Sequence, residues 1–291
     1  MRFDSTRAIE TLEQLSEYRL QRTTVETRTA AFLAEGFERA GWRVEQLELS
    51  CRGVRAFLTR WLGIAFCLER LVIRTTRPPG SKSPWIVARP TAPSRSACRV
   101  VFLSNVGPLP SFRMAPRTSR PGDGSGPALL VEMARAWPKP WSERFEPLLV
   151  AAGGMNFGFA GVREMVRLIR EEGNEKPTLV VVILAPGVGQ ELTIRGRPKA
   201  LLRLSCEAAK SLWIPVESVG ARPGMPMGRG WPVSSKLCDH IVLTGASYRD
   251  TKPPPVDPAA LARAAQLAAE IALRWVKQHS QQAVYTLRSH E

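Results

Sequence analysis

Two uninterrupted apolar runs constrain the fold of this chain more than any other feature of its sequence. The runs "PLLVAA" (147–152) and "PTLVVVILA" (177–185) carry no charged side chain and are rich in valine and leucine. A strand with one wet face alternates between apolar and polar residues, whereas continuous apolar runs are typical of central parallel strands buried on both faces. The sequence therefore predicts an open sheet whose central strands are parallel.

Helical and extended segments alternate along the rest of the chain. Residues 26–41 place apolar side chains at helical spacing, and "WRVEQLEL" (42–49) then alternates as an edge strand. Further strands are predicted in "CRVVFLSN" (98–105), "IPVES" (214–218) and "HIVLTG" (240–245), and further helices in 124–137, 196–213 and 256–278. Asp257 and Pro258 are expected as the N-cap and first residue of the last helix. This order predicts an α/β fold, a three-layer αβα sandwich with a mixed, mostly parallel central sheet.

The segment at about 50–99 does not follow this alternation. Its apolar part, 54–74, contains Arg60, Glu69 and Arg70, so it is not expected to span a bilayer and is interpreted as an amphipathic helix, packed on the core or at a membrane surface. Its remainder is dense in proline and serine and predicts irregular structure. We therefore predict a single domain over 1–279 with an irregular insertion at about 50–99, followed by a frayed tail at 280–291.

The composition is strongly basic, with a net charge of +15, and 33 of the 41 basic residues are arginine. A positive surface attracts nucleic acid and anionic membranes, but these residues are scattered along the whole chain rather than gathered in one stripe. Five cysteines, an odd number without a CxxC pair, indicate a reducing compartment. The N-terminal residues are charged and show no secretory signal, so a cytoplasmic location is expected.

A glycine-rich turn joins the run at 147–152 to an amphipathic helical pattern. The stretch "LLVAAGGMNFGFAGVREMVRLIREEG" (148–173) has the form of a strand, a turn and a helix, a place where open α/β sheets bind ligands. Between Ala151 and Val162 it contains no ionisable side chain. The stretch thus predicts a ligand platform without the usual catalytic groups.

Four segments together resemble one enzyme family. They are "AGWRVEQLEL", "PGDGSGPALLVEMARA", "PLLVAAGGMNFGFAGVREMV" and "YRDTKPPPVDPAALARAAQLA". With the helix at 26–41, they are similar to zinc aminopeptidases and glutaminyl cyclases (peptidase clan MH, family twenty-eight), over most of the chain except 50–99. The resemblance implies a zinc-peptidase, phosphorylase/hydrolase-like architecture and an aminopeptidase-like domain.

The resemblance also implies a site with two zinc ions, bridged by an aspartate and held by two histidines, a glutamate and another acidic residue. In such a site a second glutamate acts as the base for the shared water. The paired zinc ions lower the pKa of that water and polarise the peptide carbonyl. By position, the first histidine and its aspartate correspond to the strand end at Phe102–Asn105, which includes Ser104. The bridging aspartate corresponds to Gly122, and Asp123 stands one residue late.

The remaining positions are also substituted. The base and ligand glutamates correspond to Met155 and Asn156, and the next acidic ligand to Ala185 or Pro186. The last histidine corresponds to a position among Ser247, Tyr248 and Arg249, just before Asp250. We therefore expect no zinc and no catalytic residue. The predicted binding cleft consists of Ser104, Asn105, Gly122, Asp123, Met155, Asn156, Pro186, Arg249 and Asp250.

The histidine count gives the same indication without any alignment. Only three histidines are present, and His279 and His290 lie at or beyond the end of the last predicted helix. A site with two zinc ions requires two histidines, which leaves only His240 for the core. His240 is a weak metal candidate and is interpreted as a core residue.

The sequence is compatible with three functions. The first is a non-catalytic homologue of the zinc aminopeptidases that acts as a binding or interaction module for a protein or peptide partner. The second is a peptidase or other hydrolase with a rearranged site, with Asp123, Glu132, His240 and Asp250 as candidate groups. The third is a basic nucleic-acid or membrane-surface binder, which the scattered charge does not favour.

Overall fold

A computed structural model of the protein describes residues 1–19, 25–50, 82–91, 94, 96–106, 124–138, 141–153, 176–218, 238–245 and 255–288. The helices are α1 (Ser5–Arg19), α2 (Val25–Arg39), α3 (Ser125–Arg135), α4 (Trp141–Arg144), α5 (Lys199–Ser211) and α6 (Pro258–Arg288). The strands are β1 (Trp42–Ser50), β2 (Lys82–Pro90), β3 (Arg99–Asn105), β4 (Glu146–Ala152), β5 (Thr178–Leu184), β6 (Leu192–Arg197), β7 (Val216–Ser218) and β8 (Asp239–Gly245).

These strands form one sheet in the order β1-β2-β4-β3-β5-β8-β6-β7. The four central strands β4, β3, β5 and β8 run parallel to one another. Strand β2 is antiparallel to both of its neighbours, and β6 is antiparallel to β8 and parallel to β7. The prediction of a mixed, mostly parallel sheet with β1 at its edge is confirmed.

Strand β5 shows why the central runs are continuously apolar. Leu179, Val181 and Ile183 point into the core that the helices α1, α2, α3, α5 and α6 share. The intervening residues Val180 and Val182 point into a separate apolar cluster on the opposite face. All these side chains are buried, so both faces of the strand are covered, as the sequence predicts.

Helix α3 is the most deeply buried helical segment among the described residues. Ten of its residues, from Ser125 to Ala134, are buried. A Cβ atom at Gly126 would lie 2.2 Å from the Ser104 hydroxyl oxygen and 2.7 Å from the Ile183 carbonyl oxygen. Only a glycine lets the first turn of α3 approach the ends of β3 and β5 this closely.

The last helix begins as its sequence predicts. The Asp257 carboxylate accepts a hydrogen bond of 2.8 Å from the Ala259 backbone N–H, which caps the first turn. Pro258 occupies the first helical position, where no backbone N–H is needed. Helix α6 then runs to Arg288, so the prediction of a frayed tail is wrong for 280–288.

The prediction of irregular structure at 50–99 is wrong for Lys82–Pro90, which form β2 between β1 and β4. The prolines at positions 84 and 90 obscured this strand in the sequence. Both lie outside the four residues, 85–88, that pair with β4. Helix α1 and strand β6 were not predicted, whereas residues 51–81, including 54–74, lie outside the described part. The single-domain boundaries at 1–279 stay a prediction.

The contact at Gly126 yields a stability prediction. We expect Gly126→Ala to lower the free energy of unfolding by about 3 kcal/mol, because the added methyl group collides with backbone as well as side chain. Urea titration measures this. The matched control is Gly36→Ala in α2, where the nearest atom is a Val131 methyl group at 3.2 Å and helix propensity favours alanine by about 1 kcal/mol. Equal effects of the two substitutions would contradict the prediction.

Candidate functional site

The predicted cleft falls where the four parallel strands end, which we term the carboxyl edge. Ser104 and Asn105 end β3, Pro186 lies in the turn after β5, and Gly245 ends β8. Helix α3 begins beside them, since Gly126 lies against both Ser104 and Ile183. The structure therefore brings Ser104, Asn105 and the turn containing Pro186 to the edge at which open α/β sheets bind ligands.

The side chains that end β3 are fully buried. The Ser104 hydroxyl donates a hydrogen bond of 2.8 Å to the Ile183 carbonyl oxygen, which ties β3 to β5. The Asn105 amide oxygen lies 3.3 Å from the same hydroxyl. A serine whose proton is engaged by a backbone carbonyl is a structural link rather than a nucleophile.

The turn after β5 is closed by its own backbone. Ala185 has a positive φ of 45°, and its carbonyl oxygen accepts hydrogen bonds from the N–H groups of Val188 (3.2 Å) and Gly245 (3.3 Å). Residues 185–189, including Pro186, are all buried. The position at which the resemblance implies an acidic ligand is therefore occupied by a packed turn without a polar side chain.

Six of the predicted cleft residues lie outside the described part of the chain. They are Gly122, Asp123, Met155, Asn156, Arg249 and Asp250. Their assignment to the cleft, and that of Met155 and Asn156 to the positions of the base and the ligand, stay predictions.

Ser125, the first residue of α3, has a buried hydroxyl without a hydrogen-bond partner, as does the indole N–H of Trp85, which pairs with Ala152 at the end of β4. The Cα–Cβ bonds of a helix tilt toward its N-terminus, so this hydroxyl is directed to the start of α3. Ser125 is not among the cleft residues predicted from the sequence. The sequence feature that could have indicated its place at the cleft is its position in the first turn of a helix that follows "GDG".

His240 is located at the opposite end of the sheet. It pairs with Val180 near the start of β5, whereas Thr244 pairs with Leu184 at the end of β5. His240 is four residues before Thr244, so the two residues are about 13 Å apart along β8. Burial lowers the pKa of His240 to about 4, and the nearby positive charge of Arg197 acts in the same direction. The interpretation of His240 as a neutral core histidine is consistent with this location.

Glu132, the second candidate acid of the rearranged site, is fully buried in α3 and bound by other residues. Its carboxylate accepts hydrogen bonds from the Arg7 guanidinium (2.9 Å) and the Asp4 backbone N–H (3.3 Å). Arg135 lies 3.5 Å from its other oxygen. These contacts join α1 to α3 and compensate the buried charge, so the Glu132 carboxylate has a structural role.

The donor set of the described carboxyl edge does not fit zinc. Ser104, Asn105, Ala185 and Pro186 provide neither the imidazole nor the carboxylate ligands that zinc requires. Within the described residues, no three side chains of the types His, Cys, Asp or Glu come together as a metal site would need.

A groove of about 840 Å³ lies at the other end of the sheet, which we term the amino edge. Arg144, Glu270, Arg274 and Lys277 line it, and Glu270 pairs with Arg274 at 2.7 Å. Close by, the Trp275 indole donates a hydrogen bond of 2.7 Å to Asp239 at the start of β8. This groove could not be predicted from the sequence, because its charged residues have the pattern of an ordinary solvent-exposed helix face.

No known family model matches the sequence, and no curated protein matches it. Among solved structures, the chain is similar to the glutaminyl cyclase of Fimbriiglobus ruber, with a TM-score of 0.65, 14% identity, and coverage of 93% of this chain and 96% of that chain. It is also similar to BSAP, a zinc aminopeptidase from Bacillus subtilis, with a TM-score of 0.64, 12% identity, and coverage of 94% and 95%.

A leucine aminopeptidase precursor from Bacteroides thetaiotaomicron gives a TM-score of 0.60 at 12% identity, with 93% and 97% of the two chains covered. At such low identity these likenesses show the fold alone. The fold class predicted from the sequence, with the architecture of zinc aminopeptidases and glutaminyl cyclases, is confirmed. Within the described residues, no helix has the length and apolar character that crossing a bilayer requires.

The burial of His240 predicts an acid dependence of stability. In the unfolded chain a histidine takes up its proton near pH 6.5, whereas in the folded protein the pKa of His240 is about 4. Between these values the unfolded state binds the additional proton, so the free energy of unfolding decreases as the pH falls from 6.5 to 4, by up to about 3 kcal/mol.

Urea titrations across this pH range test the prediction, with His240→Gln expected to show a shallower decrease. The control is His279→Gln, which removes the partly exposed histidine of α6 and leaves His240 in place. An unchanged slope in His240→Gln would contradict the assignment.

Proposed function

We propose that the protein is a non-catalytic homologue of the zinc-dependent aminopeptidases, a pseudoenzyme that acts as a binding or interaction module. The observation that carries this proposal is the location of its histidines. His240 is the second residue of β8, and His279 lies 3.9 Å from Asp239 at the same amino edge. Peptidases with two zinc ions need histidines at the carboxyl edge, and the third histidine of this chain is His290, near the end of the sequence.

The residue types at the carboxyl edge support the proposal independently. Activation of a water molecule by paired zinc ions needs carboxylates and imidazoles held close together. The described positions carry Ser104, Asn105 and a closed turn at Pro186 instead. The sequence adds Met155 and Asn156 at the positions that correspond to the base and the ligand.

The alternative of a hydrolase with a rearranged site has less support. Of its four candidate groups, Glu132 is bound by Arg7, and His240 lies at the amino edge. Asp123 and Asp250 remain as the acidic candidates of this alternative.

The second alternative, a basic nucleic-acid or membrane-surface binder, depends on the net charge of +15. A protein or peptide partner and a cytoplasmic location complete the proposal.

Metal content and turnover test the proposed function. The full chain is purified from zinc-supplemented medium, its zinc is measured by atomic emission, and aminoacyl p-nitroanilides and N-terminal glutaminyl peptides are offered as substrates. We expect far less than one zinc per chain and no turnover above the buffer rate. Near-stoichiometric zinc together with turnover of either substrate would overturn the proposal and favour the rearranged site.

A double substitution tests the assigned positions. We expect Met155→Glu combined with Asn156→Glu to gain no peptidase activity, because the other substituted positions would still lack ligands. The p-nitroanilide assay with added zinc measures this, and wild-type protein is the control. Zinc-dependent turnover in the double variant alone would show that the rest of the site is intact.

A further inference from the structure

Helix α5 ends in a Schellman motif with a tryptophan at the position that usually carries glycine. The Ile214 N–H donates to the Ala209 carbonyl oxygen at 3.0 Å, and the Trp213 N–H donates to the Lys210 carbonyl oxygen at 3.1 Å. Trp213 itself adopts a left-handed φ of 56°. This conformation is disfavoured for every residue with a Cβ atom, and helices most often place glycine there.

The side chain of Trp213 gains nothing from the fold to offset this strain. It is 91% exposed, and it is the one exposed large hydrophobic residue in the described part of the chain. A bulky residue in the left-handed region signals either strain or a functional constraint. An indole projected into solvent from such a position indicates a binding anchor.

A row of basic residues, which we term the basic stripe, lies on the exposed face of α5, the helix that ends just before Trp213. Lys199, Arg203 and Lys210 are spaced by four and seven residues, so they share one face of the helix, opposite the buried Leu201, Leu204 and Ala208. All three are exposed, and none forms an ion pair within the described residues. Glu207 is the acidic residue on this side of the helix, which leaves a net charge of +2.

We propose that α5 and Trp213 form a docking surface for an anionic membrane. Lysine and arginine residues close to a bilayer are attracted by its negative surface potential, and tryptophan prefers the headgroup region, where its apolar ring and its N–H are both accommodated. The positive charge of the whole chain favours approach to such a surface.

The shape of the surface favours a membrane over a nucleic acid. Proteins that bind single strands use a groove with several stacking aromatic side chains, whereas α5 is a convex ridge with one indole at its end. The stripe from Lys199 to Lys210 extends over about 16 Å in a straight line, which suits a flat charged surface.

Trp213→Gly separates binding from folding. Glycine relieves the left-handed strain, so we expect the urea midpoint of unfolding to rise by roughly half a molar. Binding to sedimenting vesicles of phosphatidylcholine and phosphatidylserine is expected to weaken roughly tenfold, because the buried area of a large aromatic ring is lost. A more stable protein that binds less tightly cannot be explained by misfolding.

The basic stripe is tested by the triple variant Lys199→Gln, Arg203→Gln and Lys210→Gln. Since each basic residue contributes about a fivefold increase in partitioning, we expect about a 100-fold loss for the three. The matched control is Arg2→Gln, Arg28→Gln and Arg43→Gln, which removes the same charge from exposed positions on α2, β1 and the N-terminus. The control is expected to bind nearly as the wild type does.

Binding of the wild type is further expected to decrease with added sodium chloride and to be absent on pure phosphatidylcholine vesicles. Equal losses in the two triple variants, unchanged binding of Trp213→Gly, or equal binding to neutral vesicles would each overturn the proposal. So would a Trp213-dependent affinity for a labelled single-stranded oligonucleotide without any for vesicles. None of these outcomes depends on whether the carboxyl edge is catalytic.

Discussion

The rest of the architecture depends on the close packing of α3 against the sheet at Gly126. The missing side chain lets the first turn of α3 rest against the Ser104 hydroxyl and the Ile183 carbonyl oxygen, which already join β3 to β5. Helix α3 can then bury almost its whole circumference, and α1 packs on its outer side through the pair of Arg7 and Glu132. One close approach thus sets how near α3, and with it α1, packs to the sheet.

The centre and the two edge strands of the sheet could be predicted, but the second strand from each edge, β2 and β6, could not. The runs at 147–152 and 177–185 are apolar on both faces, and that pattern has few other interpretations. Strand β2 was missed because its burial is confined to Trp85–Ala88, between prolines that resemble loop punctuation. Strand β6 was missed because Arg195 and Arg197 interrupt its short apolar part, and its pairing with β8 depends on residues far away in the sequence.

The candidate site could be predicted only by residue type. The resemblance predicts Ser104, Asn105 and Pro186 at the positions of metal ligands, and the structure brings them to one edge. It could not show that the Ser104 proton is engaged by Ile183, or that Glu132 is bound by an arginine 125 residues earlier in the chain. Such partners are set by tertiary packing, as is the left-handed backbone at Trp213, which a helical sequence pattern cannot reveal.

The strand order also constrains how the molecule can be assembled during synthesis. Strand β2 pairs with β4 rather than with β3, and β6 pairs with β8, which is made after β7. Because β3 likewise pairs with β5, and β5 with β8, four strands have partners that leave the ribosome only after an intervening strand, and the sheet cannot be completed until residue 245 is available. Until then their unpaired backbone edges are free to join other chains. A nascent chain of this topology depends on fast completion or on chaperones that cover those edges.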